Sequence, residues 1–326
     1  MPSVSVIVAV YQAEKNIGRC CRSLFGQSLD DMEYIFVSDG STDRSVEKIK
    51  QVLEDFPTRK AQTKIIDRRE NRGVAYTRQE GFDNATGRYV VHCDSDDWVD
   101  LTMYERMYAV AQAEDADVVC CGYEMVGKSG RIFVETFNRA DYFDFVVFNI
   151  SPLTGSLCLK IVRRERLLAA GIRFPENIGW GEDFCVSVSG LLLSRKTVCM
   201  KEIFYHYWLN EDSITHTLTE KKITELIGIG RYMEAFLKKT GNDEKYGFQL
   251  NYLKFQIKLP LLAQKKFRDI PRWKSIYPEC HPDVWKYDSP LSLKLMAWLI
   301  SRNLDWLAYL GLTLRDGAKI LLGKSK

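Results

Sequence analysis

The sequence predicts an α/β fold, in which helices flank a mostly parallel sheet, followed by a helical C-terminal extension. Two observations support this prediction. In the first half of the chain, β-branched runs alternate with segments of helical period, as in "VSVIVAVY" (4–11) followed by "EKNIGRCCRSLFGQ" (14–27). After about residue 216 the pattern is helical and basic. Strands that alternate with helices form parallel sheets through right-handed crossovers.

The first half of the chain contains four predicted strands and three predicted helices. The 4–11 run is nearly continuous in apolar residues, which is typical of a strand buried on both faces. The strands are predicted at 4–11, 33–43 (a strand that runs into a turn), 64–68 and 88–94, and the helices at 14–27, 44–56 and 74–85. Ligands of open α/β sheets bind beyond the carboxyl ends of the strands.

The second half is less regular. A helix over 101–115 and a strand over 116–126 are followed by an irregular, aromatic stretch over 130–150. Within 175–194 an apolar helix begins at Asp183, and 197–215 returns to strand and loop. We therefore predict one domain over 1–215 and a helical region over 216–326.

Composition excludes several classes of protein. A net charge of +3 over 326 residues gives no reason to expect a nucleic-acid partner. The N-terminus has no basic segment typical of a signal peptide, and no uncharged stretch approaches the roughly 20 residues that span a bilayer. The nine cysteines are odd in number and show no CxxC spacing, so we expect buried thiols in a reducing, cytoplasmic setting.

Polar residues follow three of the predicted strands. Residues 11–12, 38–41 and 94–97 end strands one, two and four, so parallel packing would bring them to one rim. The segment "SDGSTD" is also a good turn with a helix N-cap, and that structural interpretation stands beside the functional one.

Four carboxylates stand within seven residues of "DSDDWVD", at Asp94, Asp96, Asp97 and Asp100. Such a density of like charges needs a countercharge. A divalent cation, Mn²⁺ or Mg²⁺, prefers oxygen ligands and supplies one. If the segment is extended, Asp94 and Asp96 point to one side, while Ser95 and Asp97 point to the other.

Four motifs occur in order at a characteristic spacing: "SVIVAVYQ", "YIFVSDGSTD", "NRGVAYTRQEGFDNATGRYVVHCDSDD" and "GWGEDF". Together they resemble the family 2 glycosyltransferases, which have a GT-A fold, invert the anomeric centre and use nucleotide sugars with a metal ion. The resemblance covers about residues 3–215. It implies a nucleotide-binding half over 1–100 and an acceptor-binding half over 101–215.

The resemblance implies a set of donor-binding residues. The backbone near Ala9 and the ring of Tyr11 would pack on the base, and Asp39 would accept the imide hydrogen, which favours uridine. Asp94 would meet the ribose and share the metal ion with Asp96. The remaining residues implied to contact the nucleotide sugar are Asn71, Gly73, Arg78 and Ser95.

The resemblance also implies the catalytic residues. Asp183 of "GED" matches the general base, and Glu182 would position the acceptor or the donor sugar. Acidic residues also suit a helix N-terminus for structural reasons, and both interpretations of this pair can hold. Trp180 could stack on the acceptor sugar or pack in the core.

The chain departs from the family pattern in the segment "YHYWLNEDSIT" (205–215). Many relatives have basic residues there that contact the diphosphate or metal, where this chain has Trp208 and Asn210. His206 and His216 are nearby substitutes, although each is more typical of an ordinary surface or packing histidine.

The C-terminal segment 289–326 is rich in Leu, Trp and Met but carries charges that argue against a membrane-spanning helix. Three alternatives remain: an amphipathic helix at the inner face of the plasma membrane, packing on the catalytic domain, or a homodimer contact. A membrane contact would suit a lipid-linked acceptor.

The leading hypothesis is therefore a glycosyltransferase acting on a glycan or lipid-linked acceptor in cell-surface polysaccharide synthesis. A nucleotidyltransferase is an alternative with similar topology, but "VYQAEKNIGRC" is a poor match to its glycine-rich phosphate loop. An inactive sugar-binding protein of the same fold is the second alternative.

Overall fold

The computed structural model describes residues 1–136, 148, 150–209 and 218–321, and the chain divides into two compact units, Met1–His216 and Thr217–Lys326. The strands of the described residues are β1 Val4–Val10, β2 Met32–Asp39, β3 Thr63–Arg68, β4 Tyr89–Asp94, β5 Trp98–Val99, β6 Val118–Gly127, β7 Gly130–Glu135, β8 Lys160–Arg163 and β9 Thr197–Trp208.

The helices occur in both units. Those of the first unit are α1 Ile17–Phe25, α2 Ser45–Glu54, α3 Val74–Asn84, α4 Met103–Ala113, α5 Pro152–Gly155, α6 Arg164–Ala169 and α7 Glu182–Leu193. Those of the second unit are α8 Glu220–Thr240, α9 Gly247–Lys258, α10 Pro260–Ala263, α11 Ile270–Ser275, α12 Leu291–Ser301 and α13 Asp305–Leu321. Short 3-10 helices occur at Pro57–Gln62, Leu157–Leu159, Lys265–Phe267, Pro278–Cys280 and Val284–Lys286.

The strands of the first unit form one mixed sheet in the order β3-β2-β1-β4-β8-β6-β9-β5, with β7 paired to β6. The first four strands of this order are parallel, as the alternating sequence pattern predicted. Beyond β4 the sheet becomes mixed, because β8 is antiparallel to both β4 and β6. The apolar residues of β1 are buried except for the half-buried Ala9, as expected for a strand covered on both faces.

The strand registers bring the predicted polar segments together. Ala9 of β1 pairs with Asp94 of β4, and the next residue, Val10, pairs with Ser38 of β2. Asp39 in turn pairs with Arg68 at the end of β3. The carboxyl ends of four neighbouring strands therefore form one rim.

The 130–150 stretch contains a strand that the sequence pattern did not predict. β7 forms a hairpin with β6, closed by the pair Gly127–Gly130, and Gly130 has a φ of 105°. Its sequence, GRIFVE, lacks the alternation of apolar and polar residues that marks a half-buried strand, and its side chains are mostly exposed. Residues 137–147 and 149 lie outside the described part of the chain.

The second unit is helical, as predicted. Thr219 caps the N-terminus of its longest helix, α8, because its hydroxyl accepts a bond from the Lys222 amide at 3.2 Å. Gly241, with a φ of 66°, caps the C-terminus. Lys258 is fully buried in this unit, and its ammonium group donates to the main-chain oxygens of Trp273 and Ile276. None of the helices described in either unit combines the length and apolarity needed to cross a bilayer.

All nine cysteines are free, and every one except the half-buried Cys199 is buried. This agrees with their interpretation as small apolar side chains.

Gly40 allows two loops of the rim to approach each other. Its φ is 68°, and a Cβ added there would lie 2.8 Å from the Asn71 nitrogen and from the Glu70 carbonyl carbon. We predict that Gly40→Ala lowers the free energy of unfolding by about 1–3 kcal/mol, because it adds backbone strain and a clash. Urea unfolding would measure the loss.

Gly18→Ala is the matched control, since nothing lies within 4 Å of a Cβ at that helical position. This control should be neutral or stabilising by at most about 1 kcal/mol. Equal stability of the two variants would contradict the prediction.

Candidate active site

Arg78 of α3 joins two of the predicted site segments. Its Nη2 donates to Asp94 Oδ1 at 2.8 Å, and its Nη1 donates to Glu182 Oε1 at 2.6 Å. The side chains of Arg78 and Glu182 are buried, whereas that of Asp94 is partly exposed. The structure therefore brings Arg78, Asp94 and Glu182 together as one ion-pair chain between the end of β4 and the start of α7.

Glu182 and Asp183 occupy the first turn of α7. Gly181, with a φ of 95°, turns the chain into this helix, and Asp183 Oδ1 accepts a bond from the Phe184 amide at 2.8 Å. Acidic residues are favoured at a helix N-terminus, so the structural interpretation of "GED" holds. The functional interpretation is compatible with it, because the same turn fixes the Asp183 carboxylate near Arg78.

The acidic pair of α7 has perturbed acidity. Burial raises the pKa of both Glu182 and Asp183, and the positive charge of Arg78 opposes that rise. The positive charge of the fully buried Lys160 also opposes the rise in the pKa of Asp183. A carboxylate with a raised pKa is a stronger base than an ordinary surface aspartate.

The acidic segment after β4 is a turn, which corrects the expectation of an extended segment. Strand β4 ends at Asp94, and the Asp97 amide donates to the Asp94 carbonyl at 3.1 Å. Side chains in such a turn do not follow the alternation of a strand, so that alternation does not fix the directions of Asp94 and Asp96. Ser95 and Asp96 are the central residues of the turn.

Asp97 anchors this turn to β9. Its side chain is buried and accepts bonds from the Tyr205 hydroxyl at 2.5 Å and from the Trp208 amide at 2.7 Å. The same hydroxyl accepts a bond from the Asp94 amide at 3.3 Å. The sequence pattern did not reveal Tyr205, because nothing in a single strand indicates which loop its hydroxyl meets.

Asp96 remains the carboxylate most suited to a metal ion. It forms no salt bridge with the residues described here, and burial together with the charge of Asp94 raises its pKa to about 6. A bound cation would relieve that penalty. No group of three or more metal-ligating side chains occurs in the described ranges, and Mg²⁺ commonly uses one or two carboxylates plus substrate phosphates. The donor set therefore fits a metal ion shared with a diphosphate.

Asp39 organises the loop that follows β3. It is buried and accepts bonds from Arg68 Nη2 at 2.6 Å and from the amides of Arg72 at 2.8 Å and Gly73 at 2.9 Å. Asn71 Oδ1 also accepts a bond from the Gly73 amide at 3.2 Å. Oδ2 of Asp39 accepts only one of these described bonds, so it retains capacity for a further donor. Sequence reasoning missed Arg68 as the partner of this carboxylate.

The remaining predicted residues lie at or beside the rim. Ala9 lies near the end of β1, and Tyr11, just after it, is 52% exposed and presents its ring to solvent. Trp180 is half-buried and lies two residues before α7.

His206 has a structural role. Its two ring nitrogens lie 2.8 Å from carboxylate oxygens of Glu124 and Asp100. Because both ring nitrogens already contact carboxylates, His206 is poorly placed to replace a basic residue that contacts the diphosphate. Asn210 and His216 lie outside the described residues.

Comparisons with known proteins identify the family of this chain. The model of the family "Glycosyl transferase family 2" matches residues 5–165. The chain belongs to the family 2 glycosyltransferases. It is 28% identical to EpsH of Bacillus subtilis (strain 168) over 259 residues, which is 77% of this chain and 73% of EpsH. This membership confirms the glycosyltransferase prediction over the nucleotidyltransferase alternative.

Two solved structures show the same fold. TarS 1-349 of S. aureus, in complex with UDP-GlcNAc, has a TM-score of 0.72 at 20% identity, covering 97% of this chain and 92% of that one. The mannosyltransferase PcManGT from Pyrobaculum calidifontis, in complex with GDP-Man and Mn²⁺, has a TM-score of 0.53 at 16% identity, covering 99% and 88%. These likenesses confirm the predicted GT-A architecture for this family 2 glycosyltransferase.

Breaking the ion-pair chain of this glycosyltransferase at one member should destabilise the fold strongly. We predict that Arg78→Met lowers the free energy of unfolding by about 3–5 kcal/mol, because it leaves the buried Glu182 without a countercharge. Urea unfolding measures the loss. The double variant with Glu182→Leu should recover part of it, since no unpaired buried charge remains.

Arg22→Met is the matched control. Arg22 pairs with Asp55, but both side chains are more than half exposed. Such surface pairs contribute about 0–1 kcal/mol. An Arg78→Met loss no larger than that of the control would show that the buried chain is not a stabilising element.

Proposed function

We propose that this protein is an inverting glycosyltransferase. It would transfer a sugar from a UDP-linked donor to a hydroxyl of a glycan or lipid-linked acceptor in cell-surface polysaccharide synthesis. One observation carries the proposal: Arg78 links the Asp94 end of β4 to the Glu182–Asp183 turn of α7. The residues implied to bind the donor and the residue implied to act as base therefore belong to one connected site.

Asp183 is the proposed general base. Its carboxylate takes the proton of the acceptor hydroxyl while that oxygen forms a bond to the anomeric carbon. The bond from the anomeric carbon to the diphosphate oxygen breaks on the opposite face, and the nucleoside diphosphate leaves with that electron pair. Direct displacement inverts the anomeric configuration and needs no enzyme nucleophile.

Burial supports Asp183 in this role. Because its pKa is raised, it is more basic than an exposed aspartate at neutral pH. A general base must be deprotonated to act. The fraction of enzyme with an active Asp183 therefore falls as the pH drops through the raised pKa. Glu182 remains paired with Arg78 and positions the acceptor or donor sugar next to the base.

The donor would bind along the rim. Tyr11 offers an exposed ring to the base, beside the Ala9 backbone, and Asp39 Oδ2 retains a site for the imide hydrogen of uracil. The same space would be bordered by the Asn71–Gly73 loop, Arg78 and Ser95, and Asp94 would meet the ribose there.

Asp96, together with Asp94, would hold the metal ion. When bound, Mn²⁺ or Mg²⁺ offsets the negative charge that develops on the diphosphate.

Replacing the base separates binding from chemistry. Asp183→Asn should retain donor affinity but lose most transfer, by about 10²-fold or more, because no carboxylate remains to take the proton of the acceptor hydroxyl. Transfer or donor hydrolysis across a panel of nucleotide sugars with Mn²⁺ measures activity, and calorimetry measures binding.

Glu165→Gln is the matched control, since Glu165 is an exposed acidic residue in the first turn of another helix, α6. It should leave both quantities unchanged. Full activity of Asp183→Asn would refute the assignment of the base. Donor binding without turnover by the wild type in every assay would favour the inactive sugar-binding protein.

We also propose that α13 lies on the inner face of the plasma membrane, where it would bring the enzyme to a lipid-linked acceptor. One face of this helix buries Ala308 and Leu312. The opposite face exposes Trp306, Leu310 and Leu314 at a spacing of four residues, with Trp306 68% exposed. Exposed Trp and Leu residues on one helix face are typical of interfacial membrane binding.

Vesicle binding tests this surface. Full-length protein should co-sediment with vesicles of phosphatidylcholine and phosphatidylglycerol. The triple variant Trp306→Ser/Leu310→Ser/Leu314→Ser should bind the vesicles at least about tenfold more weakly. It removes most of the apolar area that this helix face would bury in the membrane.

A triple serine variant of Leu101, Ile132 and Leu168, which are exposed apolar residues of the first unit, serves as control. Equal sedimentation of wild type and α13 variant would refute the membrane contact. A wild-type dimer that the α13 variant abolishes, seen by light scattering, would assign this face to a homodimer instead.

A further inference from the structure

Arg19 of α1 lies beside the turn that carries the proposed metal ligand. Its Nη2 donates to the main-chain oxygen of Asp96 at 2.9 Å. The two residues are far apart in sequence, so this contact is a tertiary feature of the rim. It places a guanidinium group next to Asp96 without a described bond to the Asp96 carboxylate.

Two indole rings hold this guanidinium in place. Its central carbon lies 3.8 Å from the ring centroid of Trp98 and 4.6 Å from that of Trp208. His206 also stacks on Trp98, with ring centroids 5.1 Å apart and planes 11° apart. Cation–π contacts of this kind fix the plane of an arginine and reduce the entropy lost when it binds a ligand.

The guanidinium retains unused hydrogen-bonding capacity. Nη1 donates no hydrogen bond to the described residues, and Nε is buried without an acceptor there. Arg19 as a whole is only half-buried. An arginine that served only to brace the turn would be expected to use more of its five N–H donors on protein oxygens.

The carboxylates of the turn are already assigned. Asp94 pairs with Arg78 and Asp97 is bonded by β9, whereas Asp96, the proposed metal ligand, has only the nearby charge of Arg19, which acts on Asp97 as well. A diphosphate at this metal brings further negative charge, and a planar guanidinium with free N–H groups is well suited to phosphate oxygens.

We propose that Arg19 binds the diphosphate of the nucleotide-sugar donor, an inference that depends on the proposed function. Trp208 stands where the family pattern has a basic residue. In this chain its ring packs against a guanidinium that α1 supplies, so the positive charge comes from a different element of the fold.

Calorimetry with UDP and with uridine, each in the presence of Mn²⁺, tests the proposal. Arg19→Gln should weaken UDP binding by at least about tenfold, the effect of losing one charge-assisted hydrogen bond. Its affinity for uridine, which has no diphosphate, should stay within about twofold of the wild-type value. The loss of UDP affinity with added NaCl should also be shallower for Arg19→Gln, because one ionic contact is missing.

Arg22→Gln is the matched control, because Arg22 lies on the same helix but pairs with Asp55. It should bind UDP as the wild type does. Equal UDP affinity of Arg19→Gln and wild type would overturn the proposal, and so would a parallel loss for UDP and uridine, which would indicate a bracing role. Failure of the wild type to bind UDP or any other nucleoside diphosphate would instead refute the proposed function.

Discussion

The buried ion-pair chain Asp94–Arg78–Glu182 is the interaction on which the arrangement of the site depends. Each of its members comes from a different element, α3, β4 or α7. A buried arginine is tolerated only when carboxylates compensate its desolvation, and a buried glutamate needs the arginine for the same reason. The three elements therefore cannot shift independently. The geometry between the proposed donor-binding rim and the proposed base, Asp183, follows from this mutual requirement.

The same logic explains the cluster of acidic residues after β4. From sequence, one divalent cation was expected to compensate the whole cluster. In the structure, Asp94 is paired by Arg78, while Asp97 and Asp100 are held by side chains and amides of β9. Among these four carboxylates, Asp96 alone accepts no hydrogen bond from another side chain of the described residues. In the proposed site a metal ion would therefore bind Asp96 together with Asp94, and the bonds of Asp97 fix the turn that presents them.

Features that depend on local pattern were predictable from the sequence. The parallel strands, the rim and the helix that begins with "GED" all follow from hydrophobic period and strand order. Features set by contacts between distant segments were not. The turn at Asp96 replaces an extended segment because Tyr205, on β9, bonds Asp97. Arg68 pairs with Asp39, and Arg19 stacks on rings from two other strands, and neither spacing nor composition encodes those partners.

Two arginines, rather than lysines, contact the acidic turn, and their chemistry explains why. Arg78 bonds two carboxylates with different nitrogens of one rigid fork, and the guanidinium of Arg19 lies over the indole rings of Trp98 and Trp208. Both groups keep their charge across the physiological pH range. Titration of the site near neutral pH therefore falls to its carboxylates. Since burial raises the pKa of Asp183, acidification would remove the proposed base while both guanidinium charges remain.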